Sequence, residues 1–176
     1  FLAELTQALH ADAVAVAHTA DDQAETVLMH LLRGAGIGGL VGMEHINTLP
    51  VNDLSVRILR PLLEIPKEET RMYCELMGLN PRQDSTNLSL EPLRNRIRLH
   101  LLPAMEQYNP AIKVALRRLG LGAARTVDFL DEQVRSVWEQ VVKEDPEGIS
   151  IDRRAVSSMH AAVQAHLLRA AYAWFI

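Results

Sequence analysis

Cysteine is nearly absent from this sequence, which has a single one, Cys74, among 176 residues. A lone thiol can form no disulfide within the chain, and it cannot supply the paired cysteines of a structural zinc site. Long apolar runs are also missing, so no stretch is long enough to span a membrane, and there is no basic and then apolar leader. We therefore expect a protein of the reducing cytoplasm that has no membrane partner.

Two common nucleotide signatures are lacking or misplaced. No Gly-Lys-Ser/Thr follows a glycine-rich loop, which excludes a Walker-type phosphate loop. The segment GAGIGG matches the dinucleotide pattern at Gly34, Gly36 and Gly39. A dinucleotide fingerprint follows a strand and opens a helix, however, whereas this segment follows a helical pattern. We therefore predict that Gly34 ends a helix and that the next residues form a tight turn before another short helix.

The net charge of −4 is distributed unevenly along the chain. Residues 92–126 contain seven basic side chains and one acid, a net charge of +6, which leaves −10 for the remainder. Such an uneven charge distribution is typical of a protein that binds a polyanion through one region of its surface. A solvated helix face with acidic neighbours in the fold explains the charge equally well.

The stretch from Ala13 to Gly42 has the clearest pattern of the chain. The apolar run at 13–17 has the length of a buried parallel strand. A helix is predicted from Asp22 to Arg33, because apolar residues recur there with helical spacing, at Ala24, Val27, Leu28, Leu31 and Leu32. Ligands of open α/β sheets bind where a strand ends. His18 lies at this junction, whereas the other six histidines are scattered and show no ligand spacing.

Three acids, Asp21, Asp22 and Glu25, lie in one turn at the start of this helix. Asp22-Gln23-Ala24-Glu25 has the form of a capping box, which satisfies free backbone amides and complements the helix dipole. A cap needs only two of the three carboxylates. Crowded carboxylates at a strand end also suit Mg²⁺ held together with substrate phosphates. Both interpretations remain open on the residues alone.

The rest of the chain predicts an α/β domain followed by an all-helical segment. Helix 1–10, the strand at 13–17, a strand at Val56 to Leu59 and a helix from Pro66 to Gly78 give the alternation of a mostly parallel sheet. From Pro92 onward the pattern is helical, with a long helix from 121 to 143 and a possible tiny strand at Ile149 and Ile151. We expect three parts: 1–90, the α/β domain; 91–145, helical and basic; and 146–176, the start of a following helical domain or a linker. The first ten residues already have the pattern of the middle of a helix, so we also expect sequence upstream of them.

The basic helix begins PLRNRIRLHLL. Arg94 and Arg98 are four residues apart and share a face, while Leu93, Ile97 and Leu101 pack on the opposite side. Guanidinium groups are planar and suit phosphates. A second basic helix follows and contains Lys113, Arg117 and Arg118.

Five segments taken together resemble a known family. They are AHTADDQAETVLMHLLRGAGIGGLVGM, ILRPLL, GLNPRQDSTN, LRNRIRLHLLP and YNP. In order and spacing they resemble the N-terminal domain of the tRNA(Ile)-lysidine synthetases, from about Ala13 to Pro110. The resemblance implies a partial domain of the PP-loop ATP pyrophosphatase fold, a Rossmann-like parallel α/β sheet of the adenine nucleotide alpha hydrolase type. That family activates the C2 carbonyl of a wobble cytidine with ATP, and free L-lysine then displaces AMP.

The resemblance implies roles residue by residue. Asp22 and Glu25 match the acidic motif and would bind Mg²⁺ and orient the attacking amine. His18, Arg33, Asp84 and Asn87 would contact ATP or substrate. The residues expected to hold phosphates and the backbone of tRNA(Ile) are Arg94, Asn95, Arg96, Arg98, Lys113, Arg117 and Arg118. No segment matches the family's SGGxDS loop, which lies on an earlier strand, and Thr19 stands where a second histidine is more common.

Three alternatives and one open question accompany this assignment. A tRNA 2-thiocytidine synthetase has the same fold but uses cysteine pairs for an iron–sulfur cluster, and this chain has one cysteine. Another adenylating amide synthetase would lack the arginines of RNRIR. A non-catalytic RNA-binding module would use the basic segment as its grip and the acids as caps. The sequence is compatible with a homodimer but does not establish one.

Overall fold

The structure is a computed structural model that describes residues 2–51, 54–82, 89, 92–145 and 148–173. It divides into two compact units, residues 1–122 and 123–176. The division falls within a long helix. The domain boundaries predicted at residues 90 and 145 do not coincide with this division. They stay predictions, because compact units need not be separate domains.

The first unit contains three strands and most of the helices. Its elements in chain order are α1 Leu2–Ala8, β1 Val14–Ala15, α2 Ala20–Leu32, a 3-10 helix Ile37–Val41, β2 Ile46–Val51, β3 Leu54–Leu59, α3 Lys67–Leu76, α4 Leu93–Arg96, a π-helical turn Ile97–Leu101, α5 Leu102–Glu106 and the first part of α6 Ile112–Val141. The predicted helices near the N-terminus, after the first strand and after Pro66 are confirmed.

The sheet has the strand order β1-β3-β2. β1 runs parallel to β3, with Val14 opposite Ile58, and β2 runs antiparallel to β3, with Ile46 opposite Leu59. A small core of Ala3, Val56 and Ile58 covers this sheet. The parallel pair agrees with the predicted α/β class. β2 was not predicted, because Asn47, Thr48 and Pro50 break the alternation that marks a strand.

α2 ends in the way that its sequence predicts. Gly34 has a φ of 76°, the left-handed conformation that glycine adopts without strain. The N–H of Gly34 donates to Leu31 O at 3.0 Å, and the N–H of Ala35 donates to His30 O at 3.0 Å. This pair of bonds is a Schellman motif, which satisfies two carbonyls of the last turn. The glycines of GAGIGG therefore end a helix.

α2 packs against the basic helical segment through one apolar cluster. Its buried members are Ala24, Val27, Leu28, Ile97, Leu102 and Leu116. The predicted packing of Leu93, Ile97 and Leu101 is confirmed, since Ile97 is buried and the other two pack beside it. The predicted stripe is wrong at Leu31 and Leu32, which are 45% and 54% exposed, because the cluster covers only the first turns of α2.

The second unit contains the end of α6, β4 Val142–Asp145, β5 Gly148–Ile151, α7 Arg153–Ser157 and α8 Ala161–Ala173. β4 and β5 form an antiparallel hairpin. The strand predicted at Ile149 and Ile151 is confirmed. The predicted continuation of the long helix to Lys143 is wrong, because the chain becomes extended at Val142 to pair with β5. The side chain of Asp152 caps α7 and accepts from the N–H groups of Arg154 and Ala155, at 2.8 and 3.2 Å.

No helix in the described part of the chain is both long and apolar enough to cross a membrane.

Candidate active site

The candidate site lies where the parallel strands β1 and β3 end. After β1 the chain continues in extended form, with Val16 N–H donating to Leu59 O at 2.9 Å, and enters α2 at Ala20. After β3 comes Arg60. Because the carboxyl ends of parallel strands meet at one edge of a sheet, the residues that follow β1 and β3 are neighbours. The start of α2 is thus placed at the edge where α/β sheets bind ligands.

Thr19, and not Asp22, is the N-cap of α2. Oδ2 of Asp22 accepts from the backbone N–H of Thr19 at 2.9 Å and from its hydroxyl at 2.8 Å. Asp22 is therefore the third residue of the helix and closes the capping box from its far end. The predicted box from Asp22 to Glu25 is wrong by three residues, since a threonine hydroxyl upstream takes the cap position. Glu25 is left free for another role.

Glu25 is a buried carboxylate, 2% exposed, that two arginines of the basic helix contact. Arg98 Nε donates to Oε1 at 2.6 Å, and Arg98 Nη2 donates to Oε2 at 2.8 Å. Arg94 Nε donates to Oε2 at 3.1 Å. The two-pronged contact of Arg98 has the geometry that a planar guanidinium offers to a carboxylate. The acidic and basic motifs of the sequence therefore form one site.

The same arginines also hold the first turn of α2. Arg98 Nη2 donates to Oδ1 of Asp22 at 2.9 Å, and Arg94 Nη2 donates to the Thr26 hydroxyl at 3.0 Å and to the Asp22 carbonyl at 3.2 Å. The hydrogen bond to Glu25 raises the pKa of Arg98, against the effect of burial, with Asp22 and Asp21 adding to the rise. Arg98 thus stays a cation. A charge buried as deeply as Glu25 is stable only when it is paired in this way.

A π-helical turn carries Arg98. It joins α4 to α5, so that the segment from Leu93 to Glu106 is helical throughout. π-Turns inside helices are rare and occur often at functional sites. Here the turn contains Ile97, which is 1% exposed and packs into the core shared with α2. Packing of Ile97 against α2 therefore fixes the helical segment that presents Arg94 and Arg98 to Glu25 of α2.

His18 has a partner that the sequence did not predict. Arg60 Nε donates to Nδ1 of His18 at 3.3 Å. Burial lowers the pKa of His18, the Asp22 carboxylate opposes this effect, and Arg60 and Arg94 add to the lowering. The lowered pKa favours the neutral form of the ring. The signal for Arg60 was present in the sequence, because both residues follow strands that a parallel sheet would place side by side.

Asp21 lines an open groove. Its Oδ2 accepts from the N–H of Lys67, the first residue of α3, at 2.8 Å, and its Oδ1 lies 3.1 Å from Nζ of Lys113. Lys113 also contacts Glu106 at 3.1 Å. The groove has a volume of about 550 Å³, and Lys67, Arg71 and Arg117 also line it. It mixes cations with acids and has no single sign of charge.

The structure brings together some of the predicted site residues and separates others. His18, Asp22, Glu25, Arg94 and Arg98 form the cluster described above. Arg117 pairs instead with Glu64, at 2.6 Å. Asn95 is buried, and its amide donates to Ser89 O at 2.7 Å, a contact that holds the chain before α4. Among the predicted site residues, three exposed cations contact no acid in the described part of the chain: Arg33, Arg96 and Arg118. Asp84 and Asn87 lie outside the described residues.

The hydrogen bonds at Glu25 leave this carboxylate poorly suited to a magnesium ion, whereas Oδ1 of Asp22 accepts one bond and keeps a lone pair, so the predicted Mg²⁺ role stays a prediction. Both oxygens of Glu25 accept from guanidinium groups, and each oxygen of Asp22 already accepts a hydrogen bond. Over residues 2–51, 54–82, 89, 92–145 and 148–173, no cluster of three or more His, Cys, Asp or Glu side chains could hold a metal. We therefore assign no reaction step to a metal at these two residues.

Comparison with known proteins identifies the family of this chain. Residues 1–105 match the PP-loop domain family, and because this is more than half of the chain, the chain belongs to that family. The fold is similar to a solved structure, the U34-tRNA thiolase NcsA from Methanococcus maripaludis with its [4Fe-4S] cluster, with a TM-score of 0.51 and 22% sequence identity. The match covers 71% of this chain and 39% of the thiolase chain. At this identity the likeness concerns the fold alone. The expected α/β class is confirmed.

Curated relatives carry a more specific name. The chain is 39% identical over 170 residues to the tRNA(Ile)-lysidine synthase of Dehalococcoides mccartyi strain CBDB1, an alignment that covers 96% of the chain and 36% of that protein. It is 41% identical over 139 residues to the protein of the same name from Symbiobacterium thermophilum, covering 78% of the chain and 27% of the relative. The chain thus spans about a third of the length of these relatives. The resemblance found in the sequence is confirmed.

Proposed function

We propose that this chain is part of an enzyme that ligates lysine to C2 of the wobble cytidine of tRNA(Ile), with ATP as co-substrate. The observation that carries the proposal is the contact between two motifs far apart in sequence. The acids of α2 and the arginines of the RNRIR segment form one charged cluster at the carboxyl end of a parallel strand pair. Relatives over most of the chain are named for this activity.

The first chemical step would be adenylation of the C2 oxygen. The cytidine oxygen attacks the α-phosphate of ATP, the bond to pyrophosphate breaks, and negative charge leaves on the pyrophosphate. Cations that are held rigidly stabilise such charge without reorganisation. Arg94 and Arg98 suit this role because Glu25 holds their guanidinium groups in place while 34% and 25% of their side-chain surfaces stay exposed.

In the second step the amine of lysine would attack C2 and AMP would leave. Asp22 is the acid that we propose for contact with the lysine amine, because 18% of its side chain is exposed, against 2% for Glu25. A carboxylate there can accept the proton of the amine or bind its ammonium form. Glu25 has no free oxygen in this arrangement, so we propose that it positions the arginines.

Contacts with tRNA would come from the exposed cations. Arg96 and Arg118 extend into solvent and are free of acidic partners in the described part of the chain. Lys113 and Arg117 already have carboxylate partners, so binding of a phosphate there would exchange one anion for another. We therefore place the stronger part of the phosphate contact on Arg96 and Arg118. A Mg²⁺ ion that accompanies ATP would need ligands other than Glu25.

The test uses the full-length protein with ATP, Mg²⁺, lysine and an isoleucine tRNA transcript that bears C or U at the wobble position. Pyrophosphate release that requires the C transcript, with labelled lysine retained in the RNA, is the expected result. Absence of release with both transcripts would contradict the proposal. Retention of RNA binding in that case would favour the non-catalytic RNA-binding module. Sulfur transfer is the weaker candidate, since a cluster needs several thiolates and Cys74 is the one cysteine of the chain.

A further inference from the structure

Arg60 is fixed by four hydrogen bonds at the end of β3. Its N–H donates to His45 O at 2.8 Å, and Nη1 donates to Glu44 O at 2.8 Å and to Oδ1 of Asn47 at 2.7 Å. The fourth bond is the one from Nε to Nδ1 of His18. The guanidinium thus donates hydrogen bonds to the loop before β2 and to β2 itself. On the β1 side of the sheet it contacts the side chain of His18.

The loop that supplies two of these hydrogen-bond acceptors is itself fixed to α2. Gln23 Nε2 donates to Met43 O at 3.0 Å, and Met43 N–H donates to Gln23 Oε1 at 2.8 Å. This reciprocal amide contact holds the residue immediately before Glu44. The position of Arg60 is therefore determined by α2 and by β2, the strand that sequence patterns did not predict.

The chemistry of the two groups determines where the imidazole proton lies. A guanidinium only donates, so the nitrogen that it contacts must present a lone pair. A neutral imidazole with a lone pair on Nδ1 carries its proton on Nε2. A proton on Nδ1 would face the N–H of a cation. Nothing in the described part of the chain accepts from Nε2, so this donor is free for a ligand.

We propose that Arg60 is a positioning residue that holds His18 as the neutral tautomer with its proton on Nε2, which makes His18 a hydrogen-bond donor to an anionic phosphate oxygen and not a general base. Its part in the reaction rests on the proposed function, whereas the tautomer does not. A base at this position would need a lone pair on the free nitrogen, and Arg60 already takes the lone pair of the ring.

The first test reads the tautomer directly by long-range ¹H–¹⁵N NMR of the histidine rings in this chain, with His18→Gln used to assign the signal. In the wild type we expect a pyrrole-like Nε2 and a pyridine-like Nδ1. In Arg60→Met, which keeps the length but removes every donor, we expect a mixture of the two tautomers. Asn47→Ala, which loosens Arg60 but leaves its charge, should give an intermediate result. A wild-type proton on Nδ1 would overturn the proposal, and so would an Arg60→Met spectrum identical to that of the wild type.

The second test is kinetic and uses the full-length enzyme. Arg60→Met should lower kcat roughly tenfold or more and leave KM for lysine unchanged, because a correctly placed donor is lost without loss of a lysine contact. In Arg60→Lys we expect kcat to stay close to that of Arg60→Met, since one ammonium group cannot reach His18, Asn47 and Glu44 O together. A kcat equal to that of the wild type in Arg60→Met would overturn the catalytic role. If the wild type itself releases no pyrophosphate, the proposed function fails, and the NMR result still decides the tautomer.

Discussion

Arg98 holds Glu25 by two parallel hydrogen bonds, Nε to Oε1 at 2.6 Å and Nη2 to Oε2 at 2.8 Å, and the carboxylate has almost no contact with water. The two residues are 73 positions apart in the chain. Their contact is where the acidic helix and the basic helix meet. The ion pair between Glu25 and Arg98 therefore has two roles: it stabilises the fold of the first unit, and it sets the geometry of the proposed site.

Loss of the Glu25 charge should affect both stability and activity. In Glu25→Gln an amide NH₂ would face Arg98 or Arg94, and a cation would lose its partner in a largely buried position. We expect the free energy of unfolding in urea to fall by about 3 kcal/mol, as when one partner of a buried ion pair is removed. Glu68→Gln is the matched control, because the Glu68 side chain is 72% exposed and its ion pair with Arg71, at 3.9 Å, is long. Equal stabilities of the two variants would contradict the role given to Glu25.

The sequence contained the signals for helix ends but not for the partners of charged residues. Gly34 and Pro66 marked real boundaries because glycine and proline act through backbone geometry, which is local. The shared face of Arg94 and Arg98 was also predictable from their spacing. The partner of these two arginines was not predictable from the sequence. A phosphate was expected there, whereas in the structure both arginines contact Glu25. Spacing fixes which residues share a helix face, whereas the tertiary fold decides what lies opposite.

The same limit explains the displaced capping box and the missed strand. Thr19 and Asp22 cap a helix as well as Asp22 and Glu25 would, and local sequence does not distinguish the two registers. The difference comes from the burial of Glu25, which requires α4 and α5 to be in place. β2 is stabilised by its pairing with β3, a contact that can outweigh a poor local preference.

Asp22 has a structural and a proposed chemical role that two variants can separate. Asp22→Asn removes the charge near the lysine amine and weakens the capping box, while Thr19→Ala removes the hydroxyl of the box and keeps the carboxylate. We expect each to reduce the free energy of unfolding by about 1 kcal/mol. Lysine incorporation should be abolished in Asp22→Asn and nearly normal in Thr19→Ala. Equal activity in both variants would show that the role of Asp22 is structural, in the capping box and in the contact with Arg98.

Asp21 should make the first unit sensitive to acid. Burial alone would raise its pKa, but the hydrogen bond from the Lys67 N–H and the Lys113 ammonium outweigh this effect, so the pKa lies below the ordinary value of 3.8. The carboxylate therefore contributes stability that is fully present above pH 3.8 and is lost as the pH falls through the lower, folded-state pKa.

The matching experiment compares wild type and Asp21→Asn by urea unfolding between pH 3 and pH 7. At neutral pH the variant should be less stable by about 1.5–3 kcal/mol, the usual range for a hydrogen bond to a charged group. The difference should narrow as the pH falls below 3.8, where the unfolded chain takes up a proton, and should be smallest below the lower folded-state pKa, where the folded carboxyl is neutral as well. A difference that is constant over the whole range would show that the charge of Asp21 is not what stabilises the start of α3.

Binding of RNA should depend more on Arg96 and Arg118 than on their neighbours in the same motif. A guanidinium that is free in the unbound protein gives its full interaction to a phosphate, whereas Arg94 and Arg98 would first have to leave Glu25. For tRNA binding at several salt concentrations, Arg96→Ala and Arg118→Ala should each weaken affinity and reduce the slope of log K against log salt by about 1. Arg135→Ala is the control, an exposed arginine of α6 outside the 92–126 stretch, and its slope should equal that of the wild type. An unchanged slope in both test variants would move the RNA contact away from these arginines.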